Sequence, residues 1–218
     1  MLKKVRGDST GWLVVAMLFF FMLINFLDKT IMGLAGDPIM RELRISHLQF
    51  GAITSSFFFL FSISAILMGF LVNHIQSRWV LLGMAIVWGV AQFPMFGVVS
   101  ATTLMGSRIL LGAGEGPAYP VAIHAAYKWF SDDRRVLPTA IIGQGASVGV
   151  VFGLPVLNWM LITWSWHLAF GALGIVAIVW ALVWLAIGRE GDGDARPVTV
   201  EEPQRRSRRA FHSHRSMR

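Results

Sequence analysis

Four ionisable residues, Asp28, Lys29, Arg108 and Glu115, interrupt stretches of sequence that are otherwise apolar. Inside hydrocarbon such groups cost roughly 2.5–3.5 kcal/mol each on insertion scales, so they usually face one another or an aqueous cavity. Two carboxylates beside two cations have the chemistry to hold an anion and to carry a proton. Arg108 and Glu115 are seven positions apart, about 700° of helix, which places them on one face and about 10.5 Å apart along the axis. That gap is too long for a direct contact and suits a small ligand held between opposite charges. A structural ion-pair cluster is the plainer alternative. Gly112, Gly114, Gly116, Pro117 and Pro120 fall in or just beyond the gap. Proline removes a backbone donor, while glycine admits either a ligand or a closely packed neighbouring helix.

The elements that position these residues are long and apolar. Of 218 residues, 55% are hydrophobic and 14% charged, with a mean hydropathy of +0.61. A soluble domain of this size has too little polar surface to cover so much apolar area. The apolar residues form six runs, roughly 11–31, 48–73, 79–99, 103–129, 138–162 and 166–188, each near the ~20 residues a helix needs to cross the bilayer core. The expected fold is an all-α membrane protein with six transmembrane helices. Lys3, Lys4 and Arg6 precede the first run, which is longer than the apolar core of a signal peptide and is read as a retained helix. Cysteine is absent, which excludes disulfides and thiolate metal sites.

The net charge of +7 reports topology more than a nucleic-acid partner. Basic residues gather before the first run, at Arg78, at Lys128, Arg134 and Arg135, and after Arg189, whereas only Arg41 and Arg44 occupy the alternate loops. This bias places both termini in the cytoplasm. Residues 1–10 form a cytoplasmic N-terminus, 11–188 a six-helix bundle, and 189–218 a polar, arginine-rich tail expected to be disordered. The tail suits anionic lipid headgroups better than nucleic acid, since Phe211 alone of the large aromatics stands among its arginines. His212 and His214 are a poor metal pair, and no phosphate loop, nucleophile constellation or metal-ligand cluster occurs. No enzyme activity, cofactor or metal is expected. The runs divide as three plus three, with Asp28 and Lys29 on the first helix of one triplet and Arg108 and Glu115 on the first of the other. Inverted triplets of this kind build many transporters.

The segments "NFLDKT" (25–30), "GFLVNHIQSRW" (69–79), "RILLGAGEGPAYP" (108–120), "KWFSDDRR" (128–135) and "SWHLAFGALG" (165–174) resemble the N-terminal half of a major facilitator superfamily transporter. The likeness is to the anion:cation symporters, which carry sugar acids and other organic anions. The resemblance implies half of a twelve-helix fold in a bacterial-type inner membrane, with proton-coupled uptake of a small organic anion by alternating access. It assigns the substrate carboxylate to Arg108 and proton coupling to Glu115. Asp28 becomes a second proton site and Lys29 a substrate or charge partner, with lysine where the family usually has arginine. Gln144 is placed on the substrate wall, although a polar residue there serves equally well as a helix–helix hydrogen bond. Gly69, Asn73 and Arg78 mark the gating loop between the second and third helices. Asn73 stands where the family has aspartate, and Arg134 where it has glutamate.

Family members cradle substrate between two six-helix halves, so this chain is expected to be a truncated or frame-shifted half. It would work with a second half or by self-association. Gly145, Gly149 and Gly153 form a small-residue ridge on the helix that, in the family, borders the other half. The contrasting reading is a non-transporting membrane remnant or interaction protein, held to lipid or to a partner by its basic tail.

Overall fold

A computed structural model describes residues 2–72 and 74–191. Among the described residues the regular elements are all helices, without a strand. The helices are α1 (Leu2–Leu34), α2 (Gly36–Leu43), α3 (His47–Leu71), α4 (Ser77–Gln92), α5 (Ala101–Glu115), α6 (Ala118–Tyr127), α7 (Val136–Val148), α8 (Leu154–Thr163) and α9 (Trp166–Ile187). Short 3-10 turns follow α4 and α6, and one π turn, Gly149–Gly153, joins α7 to α8. Among the described residues, five helical stretches are long and apolar enough to cross a membrane: Ser9–Leu34, His47–Phe70, Ser77–Phe96, Val136–Thr163 and Trp166–Ile187.

The fourth apolar run, residues 103–129, is interrupted among the glycines and prolines singled out there: the chain forms α5 and α6, of 15 and 10 residues. The break falls at Gly116 and Pro117. Pro117 has no N–H to donate to the preceding turn, and its ring crowds the carbonyl four residues back. Neither piece alone reaches the length of a span.

The helices pair in a regular way. α1 packs along α7 and α8, α3 along α5, and α4 along α9. Without a hydrophobic driving force in lipid, such contacts rest on close packing, which small residues permit. A Cβ placed at Gly112 or Gly116 would overlap the Phe57 or Phe61 carbonyl of α3, so these glycines seat α5 on α3. Of their two sequence readings, helix packing is the one the structure displays.

The ridge of Gly145, Gly149 and Gly153 needs correcting in the same way. It does not present a free face to a second half of the molecule. A Cβ at these positions would meet Phe19, Leu23 and Leu27 of α1. The ridge is consumed inside the bundle, where it lets α7 and the π turn approach the helix that carries Asp28 and Lys29.

Two apolar cores flank the middle of the bundle. In one, Phe21 stacks on Trp88 at 4.4 Å between centroids, and the Trp180 indole donates to the Met17 carbonyl at 2.9 Å. The other contains Ile31, Ile39, Met95, Leu104, Phe170 and Trp166. Trp12, Trp79, Trp159 and Trp164 are exposed, as an interfacial belt requires. Trp166 is instead buried, with its indole donating to Glu42 at 2.6 Å.

Polar clasps close both ends of α9. At its start, Glu42 of α2 accepts from Trp166 and pairs with His167, whose Nδ1 lies 2.7 Å from the Met95 carbonyl. Partial burial opposes ionisation of Glu42, but the hydrogen bonds from His167 and Trp166 outweigh it and hold the carboxyl below its ordinary value. Past its end, Glu190 accepts from the backbone amides of Ser77 and Arg78 at 3.1 and 2.9 Å and pairs with Lys128. Those amides are unsatisfied donors of the first turn of α4, where a carboxylate is favoured.

Candidate functional site

Asn25, Asp28 and Lys29 share one face of α1, at the three- and four-residue spacings that make helix neighbours. Arg108 and Glu115 project from α5, and Gln92 from the last turn of α4. Asn25, Asp28, Gln92, Ser107, Arg108 and Glu115 are the buried polar residues at mid-bundle. The four charges singled out from sequence therefore meet in one place. The seven-residue interval on α5 is spanned by residues of α1 rather than left open.

The cluster has two halves. In the first, the Gln92 amide donates to Asp28 Oδ1 at 2.7 Å and accepts from Arg108 Nη2 at 3.2 Å. Arg108 Nη1 also reaches the Asp28 backbone carbonyl at 3.5 Å, and the guanidinium lies 5.1 Å from the Phe170 ring centroid. Ser107 donates to the Ala91 carbonyl at 2.7 Å, tying α5 to α4 beside the pair. In the second half, Lys29 Nζ lies 3.5 Å from Glu115 Oε2 and donates to Asn25 Oδ1. The Phe26 and Phe61 ring centroids stand 5.0 and 5.1 Å from the same ammonium. Aromatic faces stabilise a cation without fixing it to one partner.

The satisfaction of this cluster is incomplete. Asp28 Oδ2, Arg108 Nε, Asn25 Nδ2 and both Glu115 oxygens lack hydrogen-bond partners. Buried groups of this kind are normally paired, and an unmade bond there is costly. Lys29 thus satisfies its carboxylate only in part, and Arg108 reaches the Asp28 carboxylate only through Gln92.

Space adjoins both halves. A cavity of about 30 Å³ is lined by Asp28, Lys29, Thr54, Phe57 and Arg108, room for about one water. A larger one of about 380 Å³ is lined by Asn25, Lys29, Phe61, Glu115, Tyr119 and Gly143 among others. Tyr119 and Gly143 also line a third, of about 960 Å³, where Gln144 is found with Tyr127 and Arg135. Gln144 is exposed and stands apart from the charged cluster. Of the gating-loop residues, Gly69 has no neighbour within 4 Å of a built Cβ, and Asn73 lies outside the described residues. Arg78 is turned onto α9: it donates to the Leu185 carbonyl, and its own carbonyl accepts from Trp184.

Sequence reasoning missed Gln92 and Asn25. Each is an amide within an apolar run, a signal weaker than a charge because neutral polar residues are common between packed helices. Asn25 carried a stronger hint, since it lies one helical turn before Asp28 and Lys29.

The chain is 27% identical over 185 residues to a D-galactonate transporter of Escherichia coli O6:H1, covering 85% of this chain and 43% of that protein. It is 28% identical over 180 residues to a hexuronate transporter of Bacillus subtilis, covering 81% and 42%. The chain thus spans less than half the length of the curated relatives it matches. Among solved structures, a bacterial homologue of the human lysosomal transporter Spinster superposes with a TM-score of 0.74 at 19% identity, covering 84% of this chain and 44% of that one. The Major Facilitator Superfamily profile matches residues 18–217, and with its apolar spans the chain is a multi-pass membrane protein that belongs to this superfamily.

Proposed function

We propose that the chain forms one wall of a path for small organic anions, driven by protons. The observation that carries this reading is the Lys29–Glu115 contact: an ammonium with 23% of its side chain exposed covers a carboxylate that is fully buried. A carboxylate arriving in the 380 Å³ cavity competes with Glu115 for that ammonium. Once Lys29 turns to the anion, Glu115 is an uncompensated buried charge and is stabilised by taking a proton. Binding of the anion and binding of a proton then favour one another. Arg108 supplies the second cation, oriented by Gln92, with Asp28 as a second proton acceptor. Gln144, on the adjoining cavity, meets the anion on its way in or out.

The helix pairing supports a three-plus-three architecture. If α5 and α6 together make a sixth span, exchanging the triplets turns the contact of α1 with α7 and α8 into that of α3 with α5. The contact of α4 with α9 maps onto itself. We infer a six-helix bundle over residues 11–188; the basic tail, for which anionic lipid is the proposed partner, lies from residue 192 onward outside the described residues. Arg78, Lys128 and Glu190 gather at one end of α9 and Glu42 at the other, which suits cytoplasmic termini in a bacterial inner membrane. The 380 Å³ cavity is walled by α1, α3, the junction of α5 and α6, and α7, and α3 and α7 carry Phe58, Phe59, Val136 and Leu137 exposed. A second bundle, from another part of the protein, another chain or a second copy, closes the path there. Accumulation of a labelled sugar acid in vesicles under an inward proton gradient tests the reading. Arg108→Ala is expected to abolish it, and undiminished uptake in that variant would exclude the site.

A further inference from the structure

The Asn25 carboxamide is fully buried, lines the 380 Å³ cavity and leaves Nδ2 without a partner. Its orientation follows from its neighbour. Lys29 has only protons to give, so the atom against it is the oxygen and the free atom is the N–H₂ donor. Glu115, ion-paired to the same ammonium through Oε2, leaves Oε1 without a partner. Asn25, Lys29 and Glu115 line the same cavity, so it brings together a donor and an acceptor that are both unmet. A carboxylate offers only lone pairs and would oppose Glu115, while a methylene would leave both groups unsatisfied. A hydroxyl accepts from Asn25 Nδ2 through its lone pair and donates its proton to Glu115. A protonated Glu115 still keeps an acceptor oxygen, so the match holds in either state.

We propose that Asn25 is a specificity residue, reading a hydroxyl of the bound anion while Lys29 takes the carboxylate. The inference rests on the organic-anion reading above and adds the distinction between hydroxylated and plain acids. Sites that hydrogen-bond a substrate hydroxyl reject the analogue lacking it, because their own polar groups are then left unpaired. D-glucarate and adipate provide the comparison, being dicarboxylates of equal chain length and charge that differ in their hydroxyls.

The test is displacement of a bound labelled sugar acid by each dicarboxylate, in membranes containing the assembled protein. Wild type is expected to prefer D-glucarate by about tenfold or more. Asn25→Asp keeps an oxygen for Lys29 but loses the donor. Its added charge weakens both ligands alike, so the preference is expected to fall towards parity. Asn25→Ala, which adds no charge, is read in the same way should the aspartate variant not fold. An unchanged preference in these variants would mean that Asn25 acts only by holding Lys29, overturning the proposal. Equal binding of the two acids by wild type would overturn it too, while leaving the anion site standing. Binding of neither acid would remove the organic-anion reading itself.

Discussion

Lys29 on α1 and Glu115 on α5 meet at 3.5 Å, with the lysine partly exposed to a cavity and the glutamate wholly enclosed. The pair is asymmetric: only the lysine is free to turn to a ligand, and only the glutamate suffers if it does. Substituting Glu115→Gln removes the titratable group while nearly keeping its shape. Uphill accumulation driven by a proton gradient is expected to disappear, while exchange of anion across the membrane is partly retained. Normal uphill uptake at every pH in both Glu115→Gln and Asp28→Asn would take protons out of the mechanism.

Gln92 bridges Asp28 to Arg108 and touches both through hydrogen bonds of 2.7 and 3.2 Å. Gln92→Leu leaves the guanidinium charge in place but frees its orientation. Anion affinity is expected to weaken about tenfold, the scale of one buried hydrogen bond to a charged group. Gln92→Glu, which offers Arg108 an acceptor but repels Asp28, is expected to raise the pH at which binding is half-maximal. Equilibrium binding of a labelled sugar acid measures both.

The glycines of α7 give a stability prediction independent of transport. Gly145 sits against the Phe19 carbonyl of α1, with no room for a side chain. Gly145→Val is expected to cost about 2 kcal/mol or more through overpacking, read as a lower melting midpoint in mild detergent. Gly69→Ala, at a position with open space around it, is expected to leave that midpoint unchanged.

Glu190 predicts a pH dependence. Partial burial opposes its ionisation, but Lys128 and the amides of Arg78 and Ser77 outweigh this and hold the carboxyl below its ordinary value. A depressed folded value stabilises the protein at pH above the unfolded carboxylate range, and this contribution fades as pH falls through the folded value. Glu190→Gln is expected to lower the melting midpoint at pH 7, by about 1 kcal/mol of stability for a partly exposed pair. The difference from wild type should vanish towards pH 3. A constant difference across that range would show that charge is not the cause.

Much of the cluster was legible in the sequence, and for a physical reason. Charges are rare in apolar runs, so Asp28, Lys29, Arg108 and Glu115 announced themselves. Their pairing was not legible, because one helix gives only a face and an axial distance, whereas the partners arrive from α1 and α4. The same limit applies to the glycines: their spacing revealed a ridge, but only the packed bundle shows that α1 occupies it. The break at Gly116 and Pro117 was marked by its residue types, although hydropathy runs unbroken across 103–129. Gln92 and Asn25 stayed hidden because an amide in a span serves packing as readily as binding.

Assembly offers a further check. The cavity holding Lys29 and Glu115 is walled by α1, α3, the junction of α5 and α6, and α7, and Phe58, Phe59, Phe152 and Ile162 of α3, the π turn and α8 stand exposed. The 218-residue chain expressed alone is expected to associate with copies of itself, or to be degraded, and not to transport as a monomer. Mass measurement in mild detergent followed by reconstitution decides this. A stable monomer that accumulates an organic anion would contradict it.

The most direct measurement is the number of protons taken up when a sugar acid binds. Calorimetric titration of the assembled protein near pH 7, in buffers of different ionisation enthalpy, yields that number. About one proton per anion is expected in wild type, since Glu115 loses Lys29 as the anion gains it. In Glu115→Gln the uptake should fall towards zero while heat of binding persists. Anion binding without proton uptake in wild type, or uptake unchanged in Glu115→Gln, would contradict the coupling of Lys29, Glu115 and the anion.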